Sequence, residues 1–376
     1  MTKKLFILIL FISNLSLSAQ EKCGTEVITK YRSEIYPEYR IARTNVNNQT
    51  KKWITRNSNY SAKTIITIPV VVHVVWKTNT QNISDTQIQS QIDVLNKDYR
   101  RTNIDIINTP SVWQSVAADC EIEFCLANTD PNGQPTTGIE RIQTSHGQFG
   151  MDNDIHTSSL GGADDWPNED YLNIWVCDLV SGLLGYATPP SSWIGDGDGL
   201  VIGHNYFGTT GTVQPPYNKG RTATHEIGHW LNLEHVWGAD FGPNTGCNGD
   251  DNVTDTPNQE EWNYNCPAFP HNANACGTPN GDMFMNYMDY TNDACMNLFT
   301  NGQKTRMISA INQYRPNMLN HSLCSGITSI SENTTKKELI RIVDILGREI
   351  TRPNSNTHLF YIYTDGSVEK RIIIEQ

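Results

Sequence analysis

The run His225-Glu226-Ile227-Gly228-His229, followed by His235, restricts this chain more than any other feature. Residues four apart on a helix share a face, so the imidazoles of His225 and His229 can meet one ion. His235 cannot join them from the same helix, because its offset from His225 corresponds to about 1000° of rotation, some 80° off the first imidazole. The chain must turn before His235. Three neutral imidazoles with a fourth position open form a catalytic zinc site rather than a closed structural one. Glu226 sits between the helical ligands and can handle the proton of a metal-bound water without being a ligand itself.

The rest of the chain can build a core around this motif. Hydrophobic residues make up 38% of its 376 residues, and 27 glycines bring the apolar share to about 45%, a globular composition. With 28 basic against 40 acidic residues the net charge is -12, and no basic run is long enough to track a phosphate backbone. That argues against nucleic acid as a partner. Ile65 to Trp76 is a β-branched run dense enough to be buried on both faces of a sheet. Ser84 opens a capping box with Gln87, and Ile88, Ile92, Leu95 and Tyr99 follow at helical spacing, which predicts a helix backing that sheet. Further strands are predicted at Ile122 to Ala127 and Tyr171 to Cys177. Gly182 to Gly220 offers few periodic elements and runs straight into the histidine motif, as irregular stretches that carry function do.

Lys3 and Lys4, the apolar run Leu5 to Ile12 and the small-residue end Ser18-Ala19 read as a secretory signal over residues 1–19. The run is too short to span a bilayer, and nothing later is long enough, so the mature protein is expected to have no membrane span. Gln20 to about Ala62 is polar with little apolar periodicity and reads as a pro-segment or linker. Nine cysteines in an exported chain are candidates for disulfides. Cys247, Cys266, Cys276 and Cys295 fall in a stretch poor in core-forming residues, and three pairings are open to them. The sequence does not pair Cys120, Cys125, Cys177 and Cys324. Asp250, Asp251, Asp255 and the hydroxyls of Thr254 and Thr256 gather the hard oxygen donors that calcium takes, although a solvated acidic turn reads equally well. After Cys324, short alternating strands joined by turns predict a small all-β module.

The extended motif resembles that of the metzincin metallopeptidases, HExxHxxGxxH, with Asn232 where the family has glycine in a left-handed turn. Asparagine is the next most tolerant residue there. Asn286-Tyr287-Met288-Asp289-Tyr290 resembles the family's Met-turn, which implies that Met288 lies beneath the zinc ligands and that Tyr290 reaches toward the reaction centre. HEIGHWLNLEHVWG, DNVTDTP and NYMDYTNDACMNLFTNGQ, with YLNIWVC and GLLGYA upstream, are most similar to the pappalysin and cytophagalysin group. The resemblance implies an α+β zincin fold over residues 61–324, with a twisted mixed sheet, a backing helix, an active-site helix and a C-terminal subdomain carrying the Met-turn. A small β-sandwich module would follow at 325–376.

The resemblance also implies the pairs Cys247–Cys276 and Cys266–Cys295, and structural calcium near Asp251, Thr254 and Thr256. Related zymogens carry a CGT cysteine like that of Cys23-Gly24-Thr25, which implies that in a pro-segment over 20–60 the Cys23 thiolate takes the open zinc position in the latent form. Activation would require cleavage between about Asn48 and Ser61, where Lys51, Lys52 and Arg56 stand in exposed chain. Pappalysin relatives often prefer a basic residue just after the scissile bond, which would permit self-activation there. DILGRE and YTDGSVEKRIII resemble the C-terminal sorting domain of type IX secretion, implying that export machinery as a partner and a secreted or cell-surface destination.

These readings converge on a secreted zinc endopeptidase made as a latent precursor, acting on proteins or peptides and inhibited by its own pro-segment. Zinc would sit on His225, His229 and His235, Glu226 would be the general base, and Tyr290 would help stabilise the oxyanion. The edge strand near Gly182 to Ala187 would hold substrate extended by main-chain hydrogen bonds. The alternative is a surface adhesion or binding protein that keeps zinc without turnover. Glu226 argues against it, because a structural site needs no base. A metal-dependent hydrolase of non-peptide substrates is a second rival, disfavoured by the Met-turn.

Overall fold

The computed structural model describes residues 23–58, 64–191, 197–238, 245–324, 339–344, 348–350, 358–363 and 368–372. The signal reading at 1–19, the end of the expected cleavage window at 59–61 and parts of DILGRE and YTDGSVEKRIII lie outside them. The chain forms two compact units, Met1–Cys324 and Ser325–Gln376.

The first unit is built on β1 (Ile66–Trp76), the predicted β-branched run. One flank of β1 pairs in parallel with β2 (Ile122–Leu126) along its first half and with β3 (Ile139–Gln143) along its second. Its other flank pairs in parallel with β4 (Leu172–Cys177). The sheet continues through β6 (Gly199–Gly203), parallel to β4, and ends at β5 (Gly185–Ala187), antiparallel to β6. Two short strands thus occupy the stretch that the sequence presents as irregular. Three to five residues flanked by glycine are too few to show a period.

Both faces of β1 are covered, which explains its dense β-branched character, and the buried His73 within it is paired with Glu140 and Asn173. Ile66, Ile68, Val70, Val72 and Val74 join the core under the helices, whereas Val75 joins a second cluster with Trp175, Phe149 and Tyr186. Helix α3 (Asp85–Tyr99) supplies Ile88, Ile92, Leu95 and Tyr99 to the first core. Ser84 caps α3 by accepting from the Gln87 N–H. The expected capping box is half-formed. The Gln87 amide turns away to donate to the carbonyls of His204 and Phe207 and to Thr212, so it fastens the loop after β6 instead of the helix end.

Residues expected to be unperiodic pro-segment form two helices, α1 (Thr25–Ile35) and α2 (Pro37–Arg56). Pro37 stands in the first turn of α2, and Tyr39, Ala42, Val46 and Thr50 make a buried stripe at helical spacing. The stripe is short and weakly apolar, and much of the docking is polar.

No helix among the described residues is long and apolar enough to cross a membrane. The second unit contains an antiparallel sheet in the order β7 (Leu339–Val343), β8 (His358–Tyr363), β9 (Val368–Ile372).

Candidate metal centre and active site

Helix α4 (Arg221–Trp230) carries the motif and is buried along its whole length. Its N-terminus is clamped from beneath. The Arg221 guanidinium binds Asp98 and Asp105 and donates to the Asp293 carbonyl, Thr224 donates to Asp98, and the Tyr99 hydroxyl donates to the Thr224 carbonyl. At the other end, Trp230 Nε1 donates to Asp198 at 2.7 Å, and Arg315 lies 3.8 Å over the Trp230 ring while gripping the same carboxylate with two hydrogen bonds.

The helix stops as the third histidine requires. Asn232 takes φ 72°, its N–H donates to the His229 carbonyl, and the Leu233 N–H donates to the Gly228 carbonyl. This pair of bonds is a Schellman motif with asparagine at the left-handed position. The reversed chain brings His235 back to the two helical imidazoles. The Nε2 of His229 lies 3.1 Å from that of His225 and 3.0 Å from that of His235.

The Nε2 atoms of His225 and His229 are not hydrogen-bonded to each other. His225 Nδ1 faces the Tyr287 carbonyl at 2.7 Å, and His229 Nδ1 faces the Leu233 carbonyl at 2.9 Å. Each Nδ1 must therefore carry the proton, which leaves a bare lone pair on each Nε2. Two lone pairs about 3 Å apart in a buried pocket repel unless a cation lies between them. Tetrahedral zinc with bonds of about 2.0–2.1 Å separates its nitrogens by about 3.3 Å, so the donor set fits that ion. Burial, together with His235 and His225, holds His229 well below the usual imidazole range and keeps it neutral.

Cys23 completes the group. Its Sγ and one ring nitrogen from each of His225, His229 and His235 all lie within 4.8 Å of one another, and all four residues are buried. Cys23 forms a parallel bridge with Gly185, and the Gly24 N–H donates to the Gly185 carbonyl at 2.9 Å, so this segment lies along β5, the edge of the sheet. A Cβ at Gly24 would stand 2.8 Å from Met151 Sδ, so a side chain there would press on the seat of the segment. The Thr25 hydroxyl donates to Glu226 Oε2 at 2.8 Å and accepts from the Ala187 N–H at 2.8 Å. Burial pushes Glu226 up to about 7, against the opposing influence of Thr25, Cys23 and His235. Burial, then the Glu226 charge, pushes the Cys23 thiol well above its ordinary value.

Met288 lies under the motif. It is fully buried, and a Cβ at Gly228 would stand 2.4 Å from its sulfur, so glycine at 228 is what lets the turn approach the helix. The Tyr290 ring packs 4.9 Å from His235 and 5.8 Å from His225. Trp237 stacks on His235 at 4.4 Å. Between Met288 and Tyr290, the buried Asp289 carboxylate accepts from Gln259, from the backbone and amide of Asn263, and from the Tyr290 N–H. Cys247 is bonded to Cys276, Cys266 to Cys295, and Cys125, unassigned by sequence, to Cys324; Cys120 and Cys177 are free and buried.

Residues 156–312 match the peptidase family described as Pregnancy-associated plasma protein-A. An extracellular metalloprotease of Arthroderma otae is 31% identical over 66% of this chain and 79% of that protein. Another, from Arthroderma benhamiae, is 32% identical over 71% and 80%. This chain belongs to the pregnancy-associated plasma protein-A family of metallopeptidases. Among solved structures, a promirolysin mutant of Tannerella forsythia superposes with a TM-score of 0.70 at 46% identity, covering 79% of this chain and 97% of that one. Mature mirolysin of the same organism, in complex with a cleaved peptide, gives 0.65 at 50% identity over 70% and 99%. The fold is the metzincin fold of these metallopeptidases, and the family implies zinc at the three histidines.

The oxygen donors that the sequence groups for calcium lie close to one another only in part. Asp251 accepts from Thr256 and from the Val253 N–H, and burial pushes it up to about 8. Asp255 accepts from Thr300 and the Gly302 N–H at the start of helix α5 (Asn301–Tyr314), and Thr254 is exposed. Sequence reasoning missed the Thr25 bridge, the Asp198–Arg315 clamp and the donors around Asp289. The threonine of the CGT triplet was the one available signal, since its hydroxyl stands two residues from the thiol.

Proposed function

We propose that this chain is an exported zinc endopeptidase held latent by its own N-terminal segment. The observation that carries the reading is the seat of Cys23, whose sulfur lies with the three imidazoles while its neighbours hydrogen-bond along the edge strand. Substrate would use the same edge, so the segment and a substrate exclude each other. Promirolysin aligns with a larger share of this chain than mature mirolysin does, which supports an N-terminal segment of precursor type.

Zinc, when bound, lowers the pKa of its water and polarises the scissile carbonyl. The residues do the rest. Glu226, next to the ligand His225 on α4, would accept the proton of the attacking water and return it to the leaving amine. Tyr290, packed against His235 and lining the cavity beside Glu226, would stabilise the oxyanion. Asp293 lines the cavity beside Glu226, and its carboxylate accepts from the Lys219 and Arg221 N–H groups. An acidic wall there suits a basic side chain after the scissile bond; Lys51, Lys52 and Arg56 carry such side chains, but they lie in the last turns of α2 rather than in extended chain, so α2 must unwind before they can serve as sites.

Residues 1–19 as a signal and 325–376 as a type IX sorting module complete the reading, and the extracellular relatives support export. Structural calcium near Asp251, Thr254 and Thr256 belongs to the same reading, with the buried Asp251 carboxylate beside the Thr256 hydroxyl as its hard oxygen donors. Casein zymography tests the mechanism. The processed protein should clear the gel, and Glu226→Ala should lose at least about a hundredfold of that activity. Equal clearing by both would overturn it.

A further inference from the structure

The departure from family pattern at Asn232 has a physical reading that the turn alone does not supply. Glycine would meet φ 72° without strain, so the backbone gives no cause for asparagine. Its side chain does. Fully buried, the Asn232 amide accepts at Oδ1 from Arg43 at 3.0 Å and donates from Nδ2 to the Thr50 hydroxyl at 3.2 Å. Arg43 and Thr50 belong to α2, on the far side of the segment from Cys23. Arg43 also donates to the Pro190 carbonyl. One turn on, Asn47 donates to Glu234 at 3.1 Å and accepts from Arg306 at 2.7 Å, while Arg306 holds the Asn232 carbonyl at 2.6 Å. The turn that delivers His235 and the helix α2 are thus joined through both ends of one amide.

We infer that Asn232 is a recognition residue for the N-terminal segment: its amide anchors α2 through Arg43 and Thr50, and this second anchor holds the segment in the cleft together with Cys23. The inference rests on the latent-precursor reading and adds to it that the segment is gripped at two separate points. A cation seated on a buried amide carbonyl and a hydrogen-bonded buried hydroxyl add directional grip to the apolar stripe of α2. Loss of either anchor should raise the population in which the segment is lifted.

The test uses the full precursor carrying Glu226→Gln, which cannot process itself yet keeps an oxygen to accept from Thr25, and reads amide hydrogen exchange across residues 37–56. Arg43→Ala and Thr50→Val, each added to that background, should speed exchange there roughly tenfold. Alanine favours helix at least as well as arginine, so an effect through helix propensity alone would not accelerate exchange. On an Asn232→Gly background the further effect of Arg43→Ala should shrink, because its partner is gone. In the active precursor, Arg43→Ala should also shorten the time to processing, beside a Cys23→Ala control. Exchange and processing unchanged by both Arg43→Ala and Thr50→Val, with Cys23→Ala still accelerating processing, would overturn the anchor and leave the cysteine reading intact. The reverse pattern, release by Arg43→Ala with no effect of Cys23→Ala, would overturn the cysteine reading and leave the anchor standing.

Discussion

Replacing Thr25 by valine tests the latent state without touching the thiol or any zinc ligand. Valine keeps the shape of a side chain that is 2% exposed, and the Thr25 N–H to Cys23 sulfur contact is a backbone feature that survives. What disappears is the hydroxyl bridge between Glu226 Oε2 and the Ala187 N–H, each at 2.8 Å. A hydrogen bond to a charged group contributes about 1.5–3 kcal/mol, and one to a neutral amide about 0.5–1.5 kcal/mol. Both partners stay buried when the segment is seated, so the variant loses about 3 kcal/mol of docking free energy, which corresponds to roughly a hundredfold rise in the open population. The assay is the initial rate on a fluorogenic peptide, taken from the intact precursor before processing and expressed as a fraction of the processed enzyme's rate. Thr25→Val should raise that fraction roughly a hundredfold and shorten the lag, and Thr25→Ser, which keeps the hydroxyl, should behave as wild type. A Thr25→Val precursor with the wild-type lag and initial rate would refute the reasoning, because it would show that the bridge to Glu226 contributes nothing to closure.

Other outcomes follow from the supports of the site. Burial pushes Asp289 up to about 6 from an ordinary 3.8, so the folded protein holds a proton there that the unfolded chain has released. The stabilising contribution is therefore full below about pH 4 and is lost as pH rises through about 6, on the order of 3 kcal/mol in all. Urea denaturation between pH 4 and 7 should show a shallower decline in stability for Asp289→Asn than for wild type, and identical slopes would contradict this. Cys125 and Cys324 are 199 residues apart in sequence and tie the end of the first unit to β2. Replacing both by serine should cost about 2–5 kcal/mol, seen by calorimetry as a lower Tm, and an unchanged Tm would contradict that role.

The parts of this fold that were legible in sequence are those whose signal is local and apolar. β1 showed as a dense β-branched run because both its faces are covered, and α3 as a capped stripe ending at Tyr99. The helix carrying His225 and His229, and the turn before His235, followed from angular arithmetic on three residue numbers. What escaped is held by polar or distant contacts. α2 docks through Arg43 and Asn47 as much as through Val46, so its stripe was too faint to register. β5 and β6 are too short for periodicity, yet β5 is the edge on which Cys23 and Gly24 lie. The Gln87 amide was read as part of a helix cap although it serves the 204–212 loop, because nothing in sequence tells which nearby carbonyl an amide will reach. Arg315 meets Asp198 and Trp230 from positions far apart in the chain, and the Cys125–Cys324 bond spans most of the first unit. Such pairs become visible once the sheet has set which elements are neighbours.

The most direct test of the account is X-ray absorption at the zinc edge, recorded on the intact precursor and on the processed protein. One zinc per chain is expected in both. In the precursor the shell should hold three nitrogen scatterers and one sulfur, at about 2.0–2.1 and 2.3 Å, and after processing the sulfur should give way to an oxygen. A precursor whose stoichiometric zinc shows no sulfur scatterer, or which binds no zinc at His225, His229 and His235, would contradict it.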